Sequence, residues 1–177
     1  MFILFAVPVG VALGYLLCGR LDRLSGVHFH WGWLAVAGLV VQVVLFSGAV
    51  SGFLGGGVGE IVYVGSTVAV LLAVVRNLRI PGMALVALGA ASNLAAIVAN
   101  GGVMPTTIEA LTAAGLSPTD DFSNSEIVED PALAPLTDIF ALPSWLPLAN
   151  VFSIGDVLIA AGIVLVIALG MRRGASR

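Results

Sequence analysis

Ten carboxylates, two histidines and one cysteine are the groups in this 177-residue chain able to act as acid, base, nucleophile or metal ligand. Their spacing narrows the choice. His28 and His30 flank Phe29, with Asp22 just upstream, so three donors share one short segment. A His-x-His pair with nothing else to fix a geometry is a weak metal signal, and the segment reads as an interfacial loop. Haem is disfavoured because neither histidine lies in an apolar stretch. Cys18 is alone, which excludes an internal disulfide. Leu17 before it is too bulky for a lipid-attachment site. No metal and no cofactor is expected. The carboxylates remain. Ser153-Ile154-Gly155-Asp156 has a complete structural role: Ser153 caps a helix, Asp156 answers from the third position, and its charge suits the positive end of the helix dipole.

A second set of polar residues lies within apolar sequence. Gln42, Ser66, Thr67, Ser92 and Asn93 fall near the middle of three apolar stretches, and Asn100 is two helical turns beyond Asn93, about 10 Å along the same face. Such groups need partners where water is absent. Inter-helix hydrogen bonding is the simpler reading, and a substrate or ion path the functional one. No Asp, Glu, His or Arg stands at mid-depth, where coupled carriers place an ionisable group.

These residues are carried by a chain whose solvent must be lipid. Apolar residues make up 59%, charged ones 10%, and mean hydropathy is +1.11, far from the balance of a soluble domain. Five stretches read as transmembrane helices, about 2–18, 31–53, 60–75, 82–100 and 152–171, in a single domain over 1–177. All seven basic residues are arginines, and all fall on one side: Arg20 and Arg23, then Arg76 and Arg79, then Arg172, Arg173 and Arg177. Arginine-rich short loops stay in the cytoplasm. The amino terminus is therefore expected outside and the carboxyl terminus inside. The first helix is expected to be retained, since no basic region precedes it. Every carboxylate but Asp22 then lies outside, and nucleic-acid binding is excluded for want of a basic patch.

Within the spans, Pro8 is a possible kink and Pro81 suits the first turn of the fourth helix. Gly10 and Gly14, Gly48 and Gly52, and Gly155 and Gly162 are spaced for close helix packing. The outer loop, 101–150, is acidic. Thr106-Thr107-Ile108-Glu109 reads as a capping box, opening a short helix from Thr107 to Ala114 ended by Gly115 and carrying Ile108 and Leu111 on an apolar edge. Ser117 to Pro131 carries five carboxylates, Asp120, Asp121, Glu126, Glu129 and Asp130, and reads as a solvated loop; Pro135 to Leu148 reads as a re-entrant or interfacial return. Overall this is an all-α membrane protein with a partly structured extracytoplasmic cap.

Two resemblances follow from short motifs. Asn100-Gly101-Gly102-Val103-Met104-Pro105 and Ser153-Ile154-Gly155-Asp156 resemble elements of the bacterial family called domain of unknown function 5317. That likeness spans most of the chain and implies a multi-pass protein of the bacterial plasma membrane, without an activity. Leu136-Thr137-Asp138-Ile139-Phe140 followed by Phe152-Ser153-Ile154-Gly155-Asp156, with Gly89-Ala90-Ala91-Ser92-Asn93-Leu94 upstream, resembles the C-terminal part of the lipoprotein signal peptidases. The chain departs from that family in lacking Asp-Arg after Asn93-Leu94, in Ser153 for Asn and Gly155 for Ala, and in about thirty extra residues between the matched segments. This second resemblance implies that Asp138 and Asp156 form a catalytic dyad at the outer leaflet, one carboxylate activating water and the other protonating the amide, with Asn100 as a candidate positioning group.

Without mid-membrane charge or a complete catalytic set, the sequence favours a non-enzymatic membrane accessory or binding protein. It would pack through its small-residue faces, with a membrane-protein partner or a second copy. The alternatives are an aspartyl intramembrane peptidase using Asp138 and Asp156, or a transporter of lipid or a neutral solute along Gln42, Asn93 and Asn100.

Overall fold

The structure is a computed structural model and describes residues 2–47, 57–117 and 125–172. Gly48, Gly52, Asp120, Asp121, Arg173 and Arg177, named above, lie outside the described residues. The chain is mostly helical. A 3-10 turn over Phe2–Phe5 leads into α1, Ala6–Leu16; α2 spans Gly32–Leu45, α3 Val58–Arg76, α4 Met83–Ala99 and α6 Ile154–Arg172, with the short α5, Ile108–Ala113, between the last two. Two helices, α3 and α6, are long and apolar enough to cross a membrane, and only 28% of each apolar window is buried inside the molecule. Most of each window thus faces outward, and on α3 that surface is aliphatic, with Ile61 and Leu72 exposed.

The helices lie side by side in the order α1, α6, α4, α3, α2. Their directions follow from the pairs that meet. Gln42 reaches Ser66 and Thr67, Gly38 faces Val70 and His30 meets Asn77, so α2 and α3 are antiparallel. Gly82 faces Gly162 while Gly89 faces Gly155, so α4 and α6 are antiparallel. Gly10 faces Ile167 and Gly14 faces Met171, so α1 and α6 run the same way. Glycine is required where backbones meet: a Cβ on Gly162 would run into the Gly82 carbonyl, and one on Gly89 into the Gly155 carbonyl. Here the small-residue spacing has its packing role, bringing helix backbones close at the crossings.

Several local expectations shift. Pro8 lies in the first turn of α1, where its missing N–H is not needed, and the change from 3-10 to α geometry precedes it. Pro81 precedes α4 instead of opening it. Gly82 is the N-cap, with φ +96°, because only a residue without Cβ fits against the Gly162 carbonyl. Thr107, not Thr106, caps α5, accepting from the Ala110 N–H at 3.1 Å. Thr106 is drawn into a strand instead. Gly115, at φ +70°, ends α5, with Leu116 N–H returning to the Leu111 carbonyl. Leu111 packs with Ala110, Ala114 and Val151, while Ile108 points outward, so the two do not share one apolar edge.

The cap contains short strands, which the all-α expectation did not include. β1, Met104–Thr106, pairs in parallel with β2, Ser125–Ile127; β3, Phe140–Ala141, pairs antiparallel with β4, Val151–Phe152. Part of the loop expected to be solvated is thus β2, and the expected re-entrant return is a 3-10 turn, Ala134–Leu136, followed by β3, with Trp145 exposed. Leu45, Tyr63, Ala96, Ile97 and Met104 form the apolar floor on which the cap rests.

Candidate functional site

Asp156 is the third residue of α6. Its N–H donates to Ser153 Oγ at 3.1 Å, and the Ser153 N–H donates to Asp156 Oδ2 at 3.2 Å, the reciprocal pattern of a capping box. A third group joins from α4. Ser153 Oγ donates to Asn93 Oδ1 at 2.9 Å, and Asn93 Nδ2 donates to Asp156 Oδ1 at 2.8 Å. The loop of bonds is closed, and each donor has its acceptor. Ser153 is fully buried, so its hydroxyl fixes the orientation of the Asn93 amide. Gly155 makes the arrangement possible, since a Cβ there would overlap the Asn93 side-chain oxygen.

Asp138 comes from the cap. Its backbone is held by β1: the Asp138 N–H donates to the Pro105 carbonyl at 2.9 Å, and Thr106 Oγ1 donates to the Asp138 carbonyl at 2.9 Å. Ser125 Oγ, on β2, donates to Asp138 Oδ2 at 2.6 Å. The residue is only 2% exposed, and Oδ1 has no hydrogen-bond partner among the described residues. A buried carboxylate oxygen left open is costly unless it is protonated or meets a ligand. Burial pushes the Asp138 carboxyl up to about 7; the Ser125 hydrogen bond opposes the shift and the charge of Asp156 adds to it.

Both aspartates face one cavity of about 1180 Å³. Gln42, Tyr63, Asn93 and Glu126 share its lining, and no arginine or histidine among the described residues does. Its apolar walls draw on every long helix but α1 and on the cap, and they include Phe2, Ile3 and Leu4 ahead of α1 and Leu39 and Val43 on α2. Leu39 and Val43 are also 52% and 63% exposed, so the cavity lies along the outer side of the bundle. Burial raises the Glu126 carboxyl from its usual range, and the charge of Glu60 raises it further.

The residues singled out in sequence separate into groups. Asp138, Asp156, Asn93 and Gln42 line the cavity together. Asn100 does not join them: it holds the cap by accepting from the Ala132 N–H at 2.8 Å and donating to the Ala132 carbonyl at 2.9 Å. The positioning group beside the carboxylates is Asn93. Gln42 donates to Ser66 Oγ and Thr67 Oγ1, at 3.2 and 3.1 Å, tying α2 to α3. Ser92 Oγ is buried without a partner among the described residues. Asp22 pairs with Arg20, and His28 Nδ1 faces the Gly26 carbonyl at 3.1 Å. Sequence reasoning missed Ser125, whose hydroxyl reaches Asp138 only because β2 lies beside β1, and Asn77, which accepts from the His30 N–H and donates to the His30 carbonyl.

No curated protein and no solved structure matches the chain. A family model does, over residues 26–168, a stretch that holds both carboxylates, Asn93 and the whole cap. The chain belongs to the family of unknown function DUF5317.

Proposed function

We propose that this protein is a membrane-embedded aspartyl hydrolase that cleaves an amide in a substrate entering from the lipid. The observation that carries this is a single one: Asp138, buried with an open Oδ1, and Asp156 face the same cavity, and the charge of Asp156 is felt at Asp138. Two carboxylates in a site of low dielectric do not both ionise; they share a proton. Asp156, which accepts two N–H hydrogen bonds, holds the negative charge of the pair and draws a proton from water as the water oxygen bonds to the amide carbonyl carbon. Asp138 carries the proton and delivers it to the amide nitrogen as the bond to the carbonyl carbon breaks. After hydrolysis the pair regains its starting protonation through solvent.

All five helices, α1 to α4 and α6, cross the plasma membrane of a bacterium in this reading, with the amino end and the cap outside. The alternation of helix directions supports it, as does the placement of the described arginines, Arg20, Arg23, Arg76, Arg79 and Arg172, at the end away from the cap. Leu39 and Val43 leave the cavity open to lipid between α2 and the Phe2–Phe5 segment. The sequence by itself favoured a non-catalytic accessory protein. The shared cavity and the open Asp138 oxygen give the hydrolase the stronger physical support.

The test is hydrolysis by protein reconstituted in zwitterionic liposomes with a panel of membrane-spanning peptides, products being identified by mass. Cleavage is expected from the wild type and from neither Asp138→Asn nor Asp156→Asn. Cleavage that survives either substitution removes the dyad from the chemistry. No cleavage across the panel, with no binding of a hydroxyl-bearing mimic of the tetrahedral intermediate, removes the hydrolase reading.

A further inference from the structure

The charge of the cavity goes beyond what an aspartyl dyad needs. Among the described residues three carboxylates line it, Glu126, Asp138 and Asp156, and no cationic side chain does. The dyad accounts for two of them. Glu126 has no place in that chemistry. It stands on β2 next to Ser125, half-buried, close enough to Glu60 for like-charge repulsion to be felt. The described arginines that could neutralise it are at the other end of the bundle, and the one ion pair among the described residues, Arg20 with Asp22, is there too. A cavity that collects negative charge against aliphatic walls is complementary to a particular kind of molecule.

We propose that the cavity selects an apolar chain carrying a positive charge, with the Glu126 carboxylate receiving the cation beside the dyad. The inference rests on the hydrolase reading for what happens next to the bound substrate, but not for binding itself. The apolar chain lies along Leu39 and Val43, on the lipid side, and the cationic group reaches up to β2. The open Asp138 Oδ1 is a second, independent sign that the polar end of this cavity is built for a ligand. Glu126 is then a specificity-determining residue: it decides which amide is presented to Asp138 and Asp156 and takes no proton in the reaction. Anionic amphiphiles such as fatty acids and alkyl phosphates are repelled by the charges of Glu126 and Asp156.

Binding is measured with the full chain in nanodiscs of zwitterionic lipid at pH 8, using dodecylammonium, dodecanol and dodecanoate to displace a fluorescent dodecyl amine. The ammonium probe is expected to bind about tenfold or more tightly than the alcohol, the scale of a charge-assisted hydrogen bond in a partly buried site, and dodecanoate most weakly. Glu126→Gln is expected to remove most of the preference for the amine, and Glu126→Lys to invert it in favour of dodecanoate. Equal displacement by all three probes overturns the proposal. So does an amine preference that persists in Glu126→Gln and is lost in Asp138→Asn, since the cation would then belong to the dyad. Amine preference without hydrolysis keeps this inference and drops the enzyme. Equal cleavage of charged and neutral peptides keeps the enzyme and drops this inference.

Discussion

Asp22 and Asp138 are the same amino acid at opposite ends of the molecule, and the structure treats them in opposite ways. Asp22 lies in the loop after α1 with its carboxylate on Arg20, at 3.1 Å, in full contact with solvent. The Arg20 hydrogen bond holds it below the usual carboxylate range. Asp138 is buried, meets no cation among the described residues, and is pushed up to about 7, first by burial. The first arrangement costs nothing and contributes little, as exposed ion pairs do. The second opposes folding and persists because backbone bonds to Pro105 and Thr106 hold the residue where it is. A fold that keeps an unpaired acid buried marks that place as functional more clearly than any ion pair does.

The comparison can be broken most directly at the dyad. Asp138→Asn and Asp156→Asn are each expected to lower hydrolysis by about a thousandfold or more, in line with the loss of a group that acts in the transition state, while Asp22→Asn leaves the rate unchanged. Equal losses from all three would erase the distinction between the two ends.

Titration sharpens it next. With a folded-state value of about 7 against an unfolded value near 3.8, Asp138 binds more protons folded than unfolded between those two pH values. Stability from this group is therefore fully present below about pH 4 and is lost as pH rises to about 7, by something on the order of 4 kcal/mol. Asp22 has the reverse sign, its contribution fading as pH falls through its lowered value. Thermal unfolding in nanodiscs at pH 5 and pH 8 is expected to show a falling midpoint with rising pH in the wild type. In Asp138→Asn that fall should be largely absent, with a higher midpoint at pH 8. A wild-type midpoint that does not fall contradicts the buried-acid assignment.

Smaller effects come from the supports. Gly155→Ala forces Asn93 aside and is expected to cost about 1–3 kcal/mol as an overpacked contact, read as a lower unfolding midpoint together with reduced hydrolysis. Asn93→Ala leaves Asp156 one donor short. Its signature is a displaced acidic limb in the pH profile of kcat, which a merely structural loss would not produce. Least of all, Thr107→Ala removes the α5 cap at about 1 kcal/mol, with the pH profile unchanged.

Much of the helical frame could be read from the chain because it depends on local rules. Ser153 and Asp156 meet as a capping box because both belong to one turn, and glycine spacing locates the crossings of α1 and α4 on α6. The bounds of α3 and α4 lie within two residues of the apolar stretches that announced them. The cap was less legible. Thr106 and Thr107 are equivalent as caps in isolation, and only the pairing of β1 with β2 draws Thr106 away. Ser125 to Asp138, Asn93 to Asp156 and Asn100 to Ala132 are bonds between distant segments, with no local periodicity to signal them. Motif likeness pointed to the two aspartates. The open oxygen, Asn93 as the support for Asp156, and the third carboxylate came only from three-dimensional packing.

The position of α6 also sets an order of events at the ribosome. Its two neighbours are α1 and α4, and α1 leaves the ribosome more than a hundred residues earlier. At ordinary elongation rates the glycine face of α1 waits roughly ten seconds for its partner. Until α6 arrives, Asp138 does not share its cavity with Asp156, so on the hydrolase reading activity begins only once α6 is in place.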